Sequence, residues 1–293
     1  MSKNVRISGN YGAVAPSAGL GDLETTTATQ PPIGCSYLPE PLAGVAVLTL
    51  NRPDSRNSLG PLEWQLLGEQ INHISAEDRV RVVILRGAAN NFCTGSDIRT
   101  IADQLERPAP DLQQRLFQDA QVIRALYELD RPVIAQIQGA CAGAGLALAL
   151  ACDLRICSPS AAFAAPAQRL GMTADYGLTW LLPQIVGMAR ATELLLVGDP
   201  VQAARAEAIG LVHRVVADDK INEEVQTLAA RLASGPRVAQ AVTKRGLRRA
   251  LSSDFVAMLD WESQAQAILS RTDDAREGVR SILDKRKANF RGR

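Results

Sequence analysis

Two short segments of this sequence carry small residues at places where a strand leads into a helix. The first reads FCTGSDI over residues 92–98, and the second reads GACAGAGLALALACD over residues 139–153. The N-terminus of a helix has free N–H groups and the positive end of the helix dipole, so it attracts negative charge. Two such N–H groups aimed at one point form an oxyanion hole. The two segments are therefore candidates for stabilising a developing oxyanion.

A nucleotide-binding interpretation of the second segment fits less well. Gly143 and Gly145 follow a predicted strand, but the third glycine of a dinucleotide-binding GxGxxG motif would fall on Leu148. No acidic residue ends a strand about 20 positions further on, and no GxxxxGK[ST] motif occurs. Close packing of a helix against a strand is the structural interpretation of the two glycines. That packing is compatible with an oxyanion role, because both need small residues.

The composition limits which side chains could supply acid–base chemistry. The 293 residues include 32 Lys and Arg, 31 Asp and Glu and two histidines, for a net charge of +1. This balance gives no electrostatic reason to expect nucleic acid or an anionic membrane as a partner. His73 and His213 leave little room for a metal site or a histidine-based triad, so we expect no metal. Acid–base chemistry is expected from a carboxylate, a tyrosine or the backbone.

The five cysteines form no CxxC pair, which predicts free thiols and a cytoplasmic location. No secretory signal is recognisable at the N-terminus. The longest apolar run, from Ala140 to Cys152, has about 13 residues and is too short to span a bilayer.

The elements that would position the two segments alternate along the chain. Residues 1–40 lack apolar periodicity and predict a flexible extension. We predict strands over 44–50, 80–87, 133–139, 153–158 and 211–216, and helices over 60–76, 110–129 and 143–151. This alternation predicts an α/β core over 41–218 with a largely parallel, buried sheet. Only helical patterns follow in the region 219–293, over 219–234, 236–250, 254–270 and 273–287. These helices must cover a sheet, a neighbouring subunit, or both.

From about residue 42 to its C-terminus the sequence resembles the crotonase (enoyl-CoA hydratase/isomerase) superfamily. Six segments carry the resemblance in order: VAVLTLNRPDSRNSLG (45–60), RVVILRGAANNFCTGSDI (81–98), RPVIAQIQGACAGAGLALALACDLRICSPSAAFAAP (131–166), LGMTADYGLTWLLPQIVG (170–187), AEAIGLVHRVV (206–216) and EGVRSILDKRKANFRGR (277–293). The resemblance implies a ββα spiral core, a C-terminal helical segment used in trimerisation, and a homotrimer or dimer of trimers. It also implies an acyl-CoA substrate, with coenzyme A as part of that substrate and no separate cofactor.

The resemblance further implies a site for the thioester. Two backbone N–H groups polarise the thioester carbonyl, and by position they belong to Ser96 and to Ala144, which follows Gly143. The implied CoA-contacting residues in the first half of the chain are Arg56, Ser58, Leu59, Gly95, Asp97 and Ile98. Arg56 pairs with a CoA phosphate or is a solvated charge on a turn, and Asp97 is more simply a helix cap. The implied contacts from the C-terminal segment to a neighbouring subunit's CoA are Lys285, Lys287 and Phe290.

The sequence departs from the family's hydratases at both catalytic glutamates. By alignment those positions are Ala147 and Ala167. Hydration of a C=C bond needs a water that is held and deprotonated, and a proton delivered to the α-carbon. Two alanines cannot supply these groups, so the residues argue against a hydratase.

The segment after Ala167 supplies a different acid, Asp175, at a position where a glycine is common in the family. Some isomerases and a dehalogenase branch resemble this arrangement, with an aspartate as base or nucleophile. A buried carboxylate would have a raised pKa, which suits a base near pH 7. Alternatively, Asp175 caps the helix that begins near Leu178. Tyr176 either orients the substrate or packs on Trp180 at i+4.

These residues favour an enoyl-CoA double-bond isomerase with Asp175 as its acid–base residue. The alternatives are an enoyl-CoA hydratase that uses other groups, and another crotonase chemistry such as dehalogenation or C–C bond hydrolysis. A non-catalytic CoA-binding homologue is the alternative from outside the enzymes.

Overall fold

Strands and helices alternate through the first two-thirds of the chain, as the sequence predicts. The computed structural model describes residues 31–293. The strands in that range are β1 (Ile33–Tyr37), β2 (Val45–Leu50), β3 (Val82–Gly87), β4 (Val133–Ile137), β5 (Ala140–Ala142), β6 (Leu154–Cys157), β7 (Ala162–Ala164), β8 (Val201–Gln202) and β9 (Arg214–Val215). The α-helices are α1 (Pro61–Ala76), α2 (Ile98–Leu105), α3 (Ala109–Glu128), α4 (Ala144–Ala151), α5 (Leu178–Val186), α6 (Met188–Leu196), α7 (Ala203–Ala208), α8 (Ile221–Ala233), α9 (Arg237–Ala250), α10 (Phe255–Leu269) and α11 (Asp273–Leu283).

The main sheet has six strands in the order β1-β2-β3-β4-β6-β9. All neighbours from β2 to β9 pair in parallel, and β1 pairs antiparallel with β2. The strands β2, β3 and β4 are nearly continuous runs of buried Val, Ile and Leu, which is typical of a parallel sheet covered on both faces. The predicted parallel, buried sheet is therefore confirmed.

A second, three-stranded sheet has the order β5-β7-β8. Its strands have only two or three residues each, and no pattern in the sequence predicts them. Such short strands show no periodicity of their own, and they form here because β5 and β7 pair in parallel as the chain leaves the main sheet. This small sheet carries the start of the second glycine-rich segment.

The predicted boundary of the N-terminal extension differs from the structure. Residues 33–37 belong to the predicted extension of 1–40, yet they form β1 and pair with residues 46–50. The side chain of Ile33 is buried against the core, which explains why this segment is ordered despite its weak pattern. Residues 1–30 lie outside the described residues, and their flexibility stays a prediction. The predicted last helix, 273–287, ends at Leu283.

Two apolar cores lie on the two faces of the main sheet. On one face, α8 packs Ile221, Val225 and Ala229 against β2, β3, β4 and β6. On the other face lies the larger core, which includes α1, α4 and the second sheet. The C-terminal region therefore covers a sheet, as predicted, through α8. Its later helices leave large apolar side chains exposed, among them Phe255 and Ile282. Within residues 31–293, no helix is both long and apolar enough to cross a membrane.

Candidate active site

An open cleft of about 1050 Å³ lies where β2, β3 and β4 end. Its lining residues are drawn from the turn at 51–58, the segment 94–101, the start of α4 at 143–144 and the segment 166–175. The carboxyl ends of neighbouring parallel strands meet at one edge of a sheet, which is the usual position of a ligand site in α/β proteins. The sheet thus brings together segments that are more than 100 residues apart in the sequence.

Both predicted oxyanion donors face this cleft. Ala144 is the first residue of α4, so its N–H has no partner within the helix, and Gly143 precedes it with a φ of 51°. Neither the Ser96 nor the Ala144 N–H donates a hydrogen bond to any group within residues 31–293. Both residues line the cleft together with Gly95. Two free N–H groups in one cleft are what an oxyanion hole requires.

A bridge between the two glycine-rich segments holds the donors side by side. Cys93 and Cys141 pair as an isolated parallel bridge, in which the Cys93 N–H donates to the Ala140 carbonyl and the Ala142 N–H donates to the Cys93 carbonyl, both at 2.9 Å. A Cβ atom on Gly145 would lie 2.4 Å from the Cys93 carbonyl oxygen. The close-packing interpretation of Gly145 is therefore confirmed, and it is compatible with the predicted oxyanion role.

The turn at 51–58 is fixed by one buried amide side chain. Asn57 has a left-handed backbone, with a φ of 57°. Its Nδ2 donates to the carbonyls of Ala88 and Asn91 at 3.0 and 2.8 Å, and its Oδ1 accepts the Arg52 N–H at 2.9 Å. The preceding residue, Arg56, is also left-handed and exposes its side chain at the cleft. The guanidinium of Arg56 forms no ion pair within the described residues and remains free for an anionic ligand.

The remaining predicted contacts in this half of the chain occupy different environments. Asp97 caps α2 by accepting the Arg99 N–H at 3.0 Å, and its other oxygen pairs with Arg52 at 3.3 Å. Its predicted role as a helix cap is confirmed. Ser58 and Ile98 line the cleft, whereas Leu59 is buried in the core and does not. The backbone of Leu59 instead supports the segment 92–98. Its N–H donates a hydrogen bond to the Gly95 carbonyl, and its carbonyl accepts one from the Asp97 N–H.

Asp175 lines the same cleft as the two candidate oxyanion segments and does not cap a helix with its side chain. Helix α5 has Gly177 at its N-cap with no side-chain cap, and Asp175 contributes only its carbonyl oxygen, which accepts the Leu178 N–H at 3.0 Å. The alternative of a side-chain cap is therefore wrong. Its carboxylate opens into the cleft, yet the surrounding protein raises its pKa to about 6 by desolvation, against a smaller lowering by its own backbone N–H.

Tyr176 does not line the cleft, and its ring packs on Trp64. The two buried rings stack with centroids 4.9 Å apart and an interplanar angle of 29°. Trp180 instead packs edge-on against Tyr127 at 5.9 Å. The predicted packing of Tyr176 on Trp180 is thus wrong, because Tyr176 precedes α5 in a left-handed conformation that points its ring away from the helix.

The two positions of the hydratase glutamates differ in their surroundings. Ala167 lines the cleft, whereas Ala147 is fully buried within α4. The carboxylates that do line the cleft are Asp54, Asp97 and Asp175. The carboxylate of Asp97 caps α2 and forms an ion pair with Arg52. Asp54 lies on the exposed turn. Asp175 is the cleft carboxylate that combines a raised pKa with freedom from an ion pair in the described residues.

Several cleft residues, and one residue that supports the cleft from behind, are not predicted from the sequence. Arg52, Thr94 and Thr173 line the cleft, and Trp64 supports Tyr176 from behind. The sequence predicts only a turn at Arg52. Its ion pairs with Glu63 and Asp97 depend on the tertiary structure, which brings these segments together. A tryptophan at an apolar helix position indicates core packing, so Trp64 gave no signal of its partner.

The predicted contacts near the C-terminus do not line the cleft of their own chain. Lys285 is exposed with a left-handed backbone, and Phe290 contacts the region of Gly278 on α11. Their predicted contact is with the CoA of a neighbouring subunit and stays a prediction.

The thiols and histidines behave as structural residues. Burial raises the pKa of Cys93 to about 12 and also raises that of Cys141, so both are protonated thiols buried within the two segments. The Nδ1 of His213 accepts the Arg155 N–H at 3.1 Å, and His73 lies exposed on α1.

Comparisons with known proteins agree with this geometry. The sequence profile of the enoyl-CoA hydratase/isomerase family matches residues 40–293. A 1,2-epoxyphenylacetyl-CoA isomerase from Escherichia coli K12 is 36% identical over 253 residues, which cover 85% of this chain and 96% of that protein. A crotonyl-CoA hydratase from Syntrophomonas wolfei is 31% identical over 250 residues, covering 84% of this chain and 94% of that protein.

Solved structures share the fold over nearly their full length. An enoyl-CoA hydratase from Bacillus anthracis superposes with a TM-score of 0.84 at 30% identity, and the match covers 90% of this chain and all of that one. The family profile, the relatives and the shared fold lead to one conclusion: the chain is an enzyme of the enoyl-CoA hydratase/isomerase family, within the crotonase superfamily.

Proposed function

We propose that this protein is an acyl-CoA isomerase in which Asp175 transfers a proton beside a thioester enolate held by the Ser96 and Ala144 N–H groups. One observation carries the proposal: a carboxylate with a pKa raised to about 6 shares the cleft with two free backbone donors. A base works best when its pKa lies near the working pH. The proposal therefore joins a proton carrier to a site that stabilises negative charge.

The proposed reaction is a 1,3 proton shift. The Asp175 carboxylate removes a proton from C2 of a 3-enoyl-CoA, and the electron pair of that C–H bond forms the enolate. The enolate oxygen accepts hydrogen bonds from Ser96 and Ala144, which stabilise its charge. Asp175 then returns the proton to C4, so that the double bond moves to C2–C3 and the carboxylate is regenerated. No water is consumed and no electron acceptor is needed.

The same base could act on the substrate named for the Escherichia coli relative. In a 1,2-epoxyphenylacetyl-CoA, as in a 3-enoyl-CoA, the C2 methylene lies between the thioester carbonyl and a reactive carbon. Proton removal at C2 is therefore a first step that both substrates can share. The segment that carries Leu170, Met172 and Thr173 lines the cleft and is a candidate for the acyl pocket.

The binding of the CoA portion is part of the proposal. Arg56 projects at the cleft mouth without an ion-pair partner in the described range, so it suits a CoA phosphate. Ser58, Asp97 and Ile98 line the same cleft. Lys285 and Phe290 are proposed to reach the CoA of a neighbouring subunit in a trimer or a dimer of trimers.

The direct test follows double-bond migration with purified protein. We expect conversion of a 3-enoyl-CoA to its 2-enoyl isomer, and a loss of at least about 100-fold in kcat for Asp175→Asn, because the amide cannot carry the proton. Asp54→Asn is the matched control, since Asp54 lines the exposed mouth of the cleft. The same variants are also assayed for conversion of 1,2-epoxyphenylacetyl-CoA. Full activity of Asp175→Asn on both substrates would contradict the base assignment.

A second experiment separates the isomerase from the hydratase that several relatives' names suggest. We expect hydration of crotonyl-CoA to be much slower than isomerisation, because Ala167 supplies no carboxylate to hold and deprotonate a water. Ala167→Glu should raise the hydration rate by about 10-fold or more, whereas Ala167→Gln should not, because its amide is not a base. Hydration by the unaltered protein at the rate of isomerisation would overturn this distinction.

A further inference from the structure

We infer that Arg52 is a positioning residue, whose guanidinium fixes the direction of the Ser96 N–H in the cleft. This inference rests on the proposed function and adds a residue to it. Arg52 lines the cleft, yet its guanidinium bonds protein groups on three different segments. Its role is therefore to hold the wall of the cleft, and the reacting atoms are left to other groups.

The three contacts of this guanidinium join distant parts of the chain. Its Nη1 donates to the Ser58 carbonyl at 3.0 Å and lies 3.3 Å from Oε2 of Glu63, which is on α1. Its Nη2 donates to Oδ2 of Asp97 at 3.3 Å. The turn at 51–58, the start of α1 and the segment 92–98 thus meet at one side chain.

The contact on α1 is a fixed anchor. The side chain of Glu63 is 9% exposed, and its Oε2 also accepts the Gly60 N–H at 2.7 Å. A buried carboxylate is stable only when it is hydrogen-bonded and paired with a positive charge. Arg52 supplies that charge, so the helix in turn determines where the guanidinium lies.

The other two contacts lie on either side of a single backbone bridge. Leu59 and Ser96 form an isolated parallel bridge. Ser58 precedes Leu59 and Asp97 follows Ser96, and these are the two residues that the Nη1 and Nη2 groups of Arg52 contact. The guanidinium therefore holds the two bridged segments together.

This bridge determines the direction of the proposed oxyanion donor. The Leu59 N–H donates to the Gly95 carbonyl at 2.8 Å, and the Leu59 carbonyl accepts the Asp97 N–H at 2.9 Å. The Gly95 carbonyl and the Ser96 N–H belong to one planar trans peptide, so they point in opposite directions. A bond that holds the carbonyl therefore also sets the direction of the N–H. Loosening the bridge would let the donor turn away from the enolate.

The turn that carries Arg56 has a separate support. The side chain of Asn57 donates to the carbonyls of Ala88 and Asn91 and accepts the backbone N–H of Arg52. A change of the Arg52 side chain leaves these three hydrogen bonds in place. We therefore expect loss of the guanidinium to affect the oxyanion donor, and so kcat, more than the binding of CoA.

The first test replaces the guanidinium by an ammonium group. Arg52→Lys keeps the positive charge, but an ammonium group lacks the planar pair of donors that reaches both segments. We expect kcat for isomerisation to fall by about 10- to 100-fold, because small displacements of reacting groups are costly, while KM changes less than about twofold.

Arg115→Lys is the matched control. The side chain of Arg115 is 30% exposed, against 31% for Arg52, and it also contacts a buried carboxylate, Asp119, and a backbone carbonyl, that of Pro61. It does not line the cleft. Equal kcat values for Arg52→Lys and Arg115→Lys would overturn the inference.

A double variant tests whether Arg52 acts through Asp97. Asp97→Asn removes the charge at the other end of the contact but keeps a side-chain oxygen for the cap of α2. We expect this variant also to lower kcat. Arg52→Lys and Asp97→Asn together should lower kcat by less than the product of their separate effects, because both changes weaken one contact. A full product would contradict the proposed path through Asp97.

A spectroscopic measurement reports on the oxyanion donors without turnover. The infrared C=O stretch of bound butyryl-CoA shifts as these donors polarise the thioester. We expect a smaller shift in Arg52→Lys than in Arg115→Lys and the unaltered protein, and equal shifts would overturn the inference. The absence of any shift in the unaltered protein would overturn the oxyanion assignment and this inference with it.

The outcomes also separate this inference from the proposed function. Loss of turnover in Asp175→Asn together with unchanged turnover in Arg52→Lys would leave the isomerase standing and reject the role of Arg52. If the unaltered protein does not isomerise but the band shift still depends on Arg52, the proposed reaction fails and the positioning role stands.

Discussion

A Cβ atom added to Gly95 would lie 3.4 Å from the amide nitrogen of Ala144 and 2.9 Å from the Ala142 carbonyl oxygen. The two glycine-rich segments therefore approach each other backbone to backbone at the cleft. The φ of Gly95 is 98°, a value that L-residues with a side chain rarely adopt. The absence of a side chain at this one position allows the backbones that carry the two proposed oxyanion donors, Ser96 and Ala144, to approach this closely.

Substitution of Gly95 tests this close approach. We expect Gly95→Ala to lower kcat by about 100-fold or more, because a displaced donor stabilises the enolate poorly. The strained backbone should also cost about 1–3 kcal/mol of unfolding free energy. Gly34→Ala in β1 is the control, since no heavy atom lies within 4 Å of its added Cβ. Urea denaturation and initial rates measure both effects, and equal behaviour of the two variants would refute the crowding argument.

The pH dependence of turnover reports on Asp175. The surrounding protein desolvates its carboxyl group and raises the pKa to about 6, and the base is active when ionised. We therefore expect kcat/KM to rise with pH up to about 6 and then to level off. Initial rates of isomerisation between pH 4.5 and 8 measure the profile. A profile that stays flat down to pH 4.5 would exclude Asp175 as the titrating base.

The same shift predicts a stability cost for the ionised carboxylate. The pKa of Asp175 rises on folding from its ordinary value of 3.8 to about 6, so the folded state binds the proton more tightly than the unfolded state. Its contribution to stability is greatest at low pH and is lost as pH rises through about 6. Asp175→Asn should therefore unfold at a higher temperature than the unaltered protein at pH 7.5, with a smaller difference at pH 4. Thermal unfolding of both proteins at pH 4 and pH 7.5 measures the difference, and an Asp175→Asn variant that is no more stable at pH 7.5 would contradict the raised pKa.

Asp153 is expected to matter for stability and not for turnover. It accepts the Val133 N–H at 2.8 Å and pairs with buried Lys244 and with Arg248, outside the cleft that holds Asp175. Asp153→Ala leaves the Lys244 charge buried without its carboxylate, so we expect a loss of about 3–5 kcal/mol in unfolding free energy. Glu128→Ala breaks an exposed pair with Arg124 and should cost less than about 1 kcal/mol. Chemical denaturation measures the unfolding free energy of both variants, and equal losses for Asp153→Ala and Glu128→Ala would contradict this prediction.

The exposed apolar side chains of the last two helices predict association. Phe255 on α10 and Ile282 on α11 are 76% and 77% exposed in the single chain. Large apolar groups exposed together mark interaction surfaces. We expect three or six copies in sedimentation equilibrium, as the family resemblance implies, and a shift toward monomer for Ile282→Glu. A monomer at micromolar concentration for the unaltered chain would contradict this prediction.

Local sequence patterns predicted much of the architecture. The apolar runs of β2, β3 and β4 and the helical spacing of α1 and α3 gave elements within a few residues of their observed ends, because each pattern reflects burial along one continuous segment. β1 and the second sheet escaped prediction, since short strands depend on pairing with distant partners. The predicted strand over 211–216 is reduced to two residues for the same reason.

The sequence by itself determined the chemical inventory of the site. It placed glycines and small residues at the two strand-to-helix junctions, alanines at the hydratase positions and an aspartate at 175. Only the tertiary structure decided how these groups act. It placed Asp175 in the cleft and not on a helix cap, and it paired Tyr176 with Trp64, which lies 112 positions earlier in the chain. These outcomes depend on backbone turns and on contacts between distant segments, which no local pattern of residue types encodes.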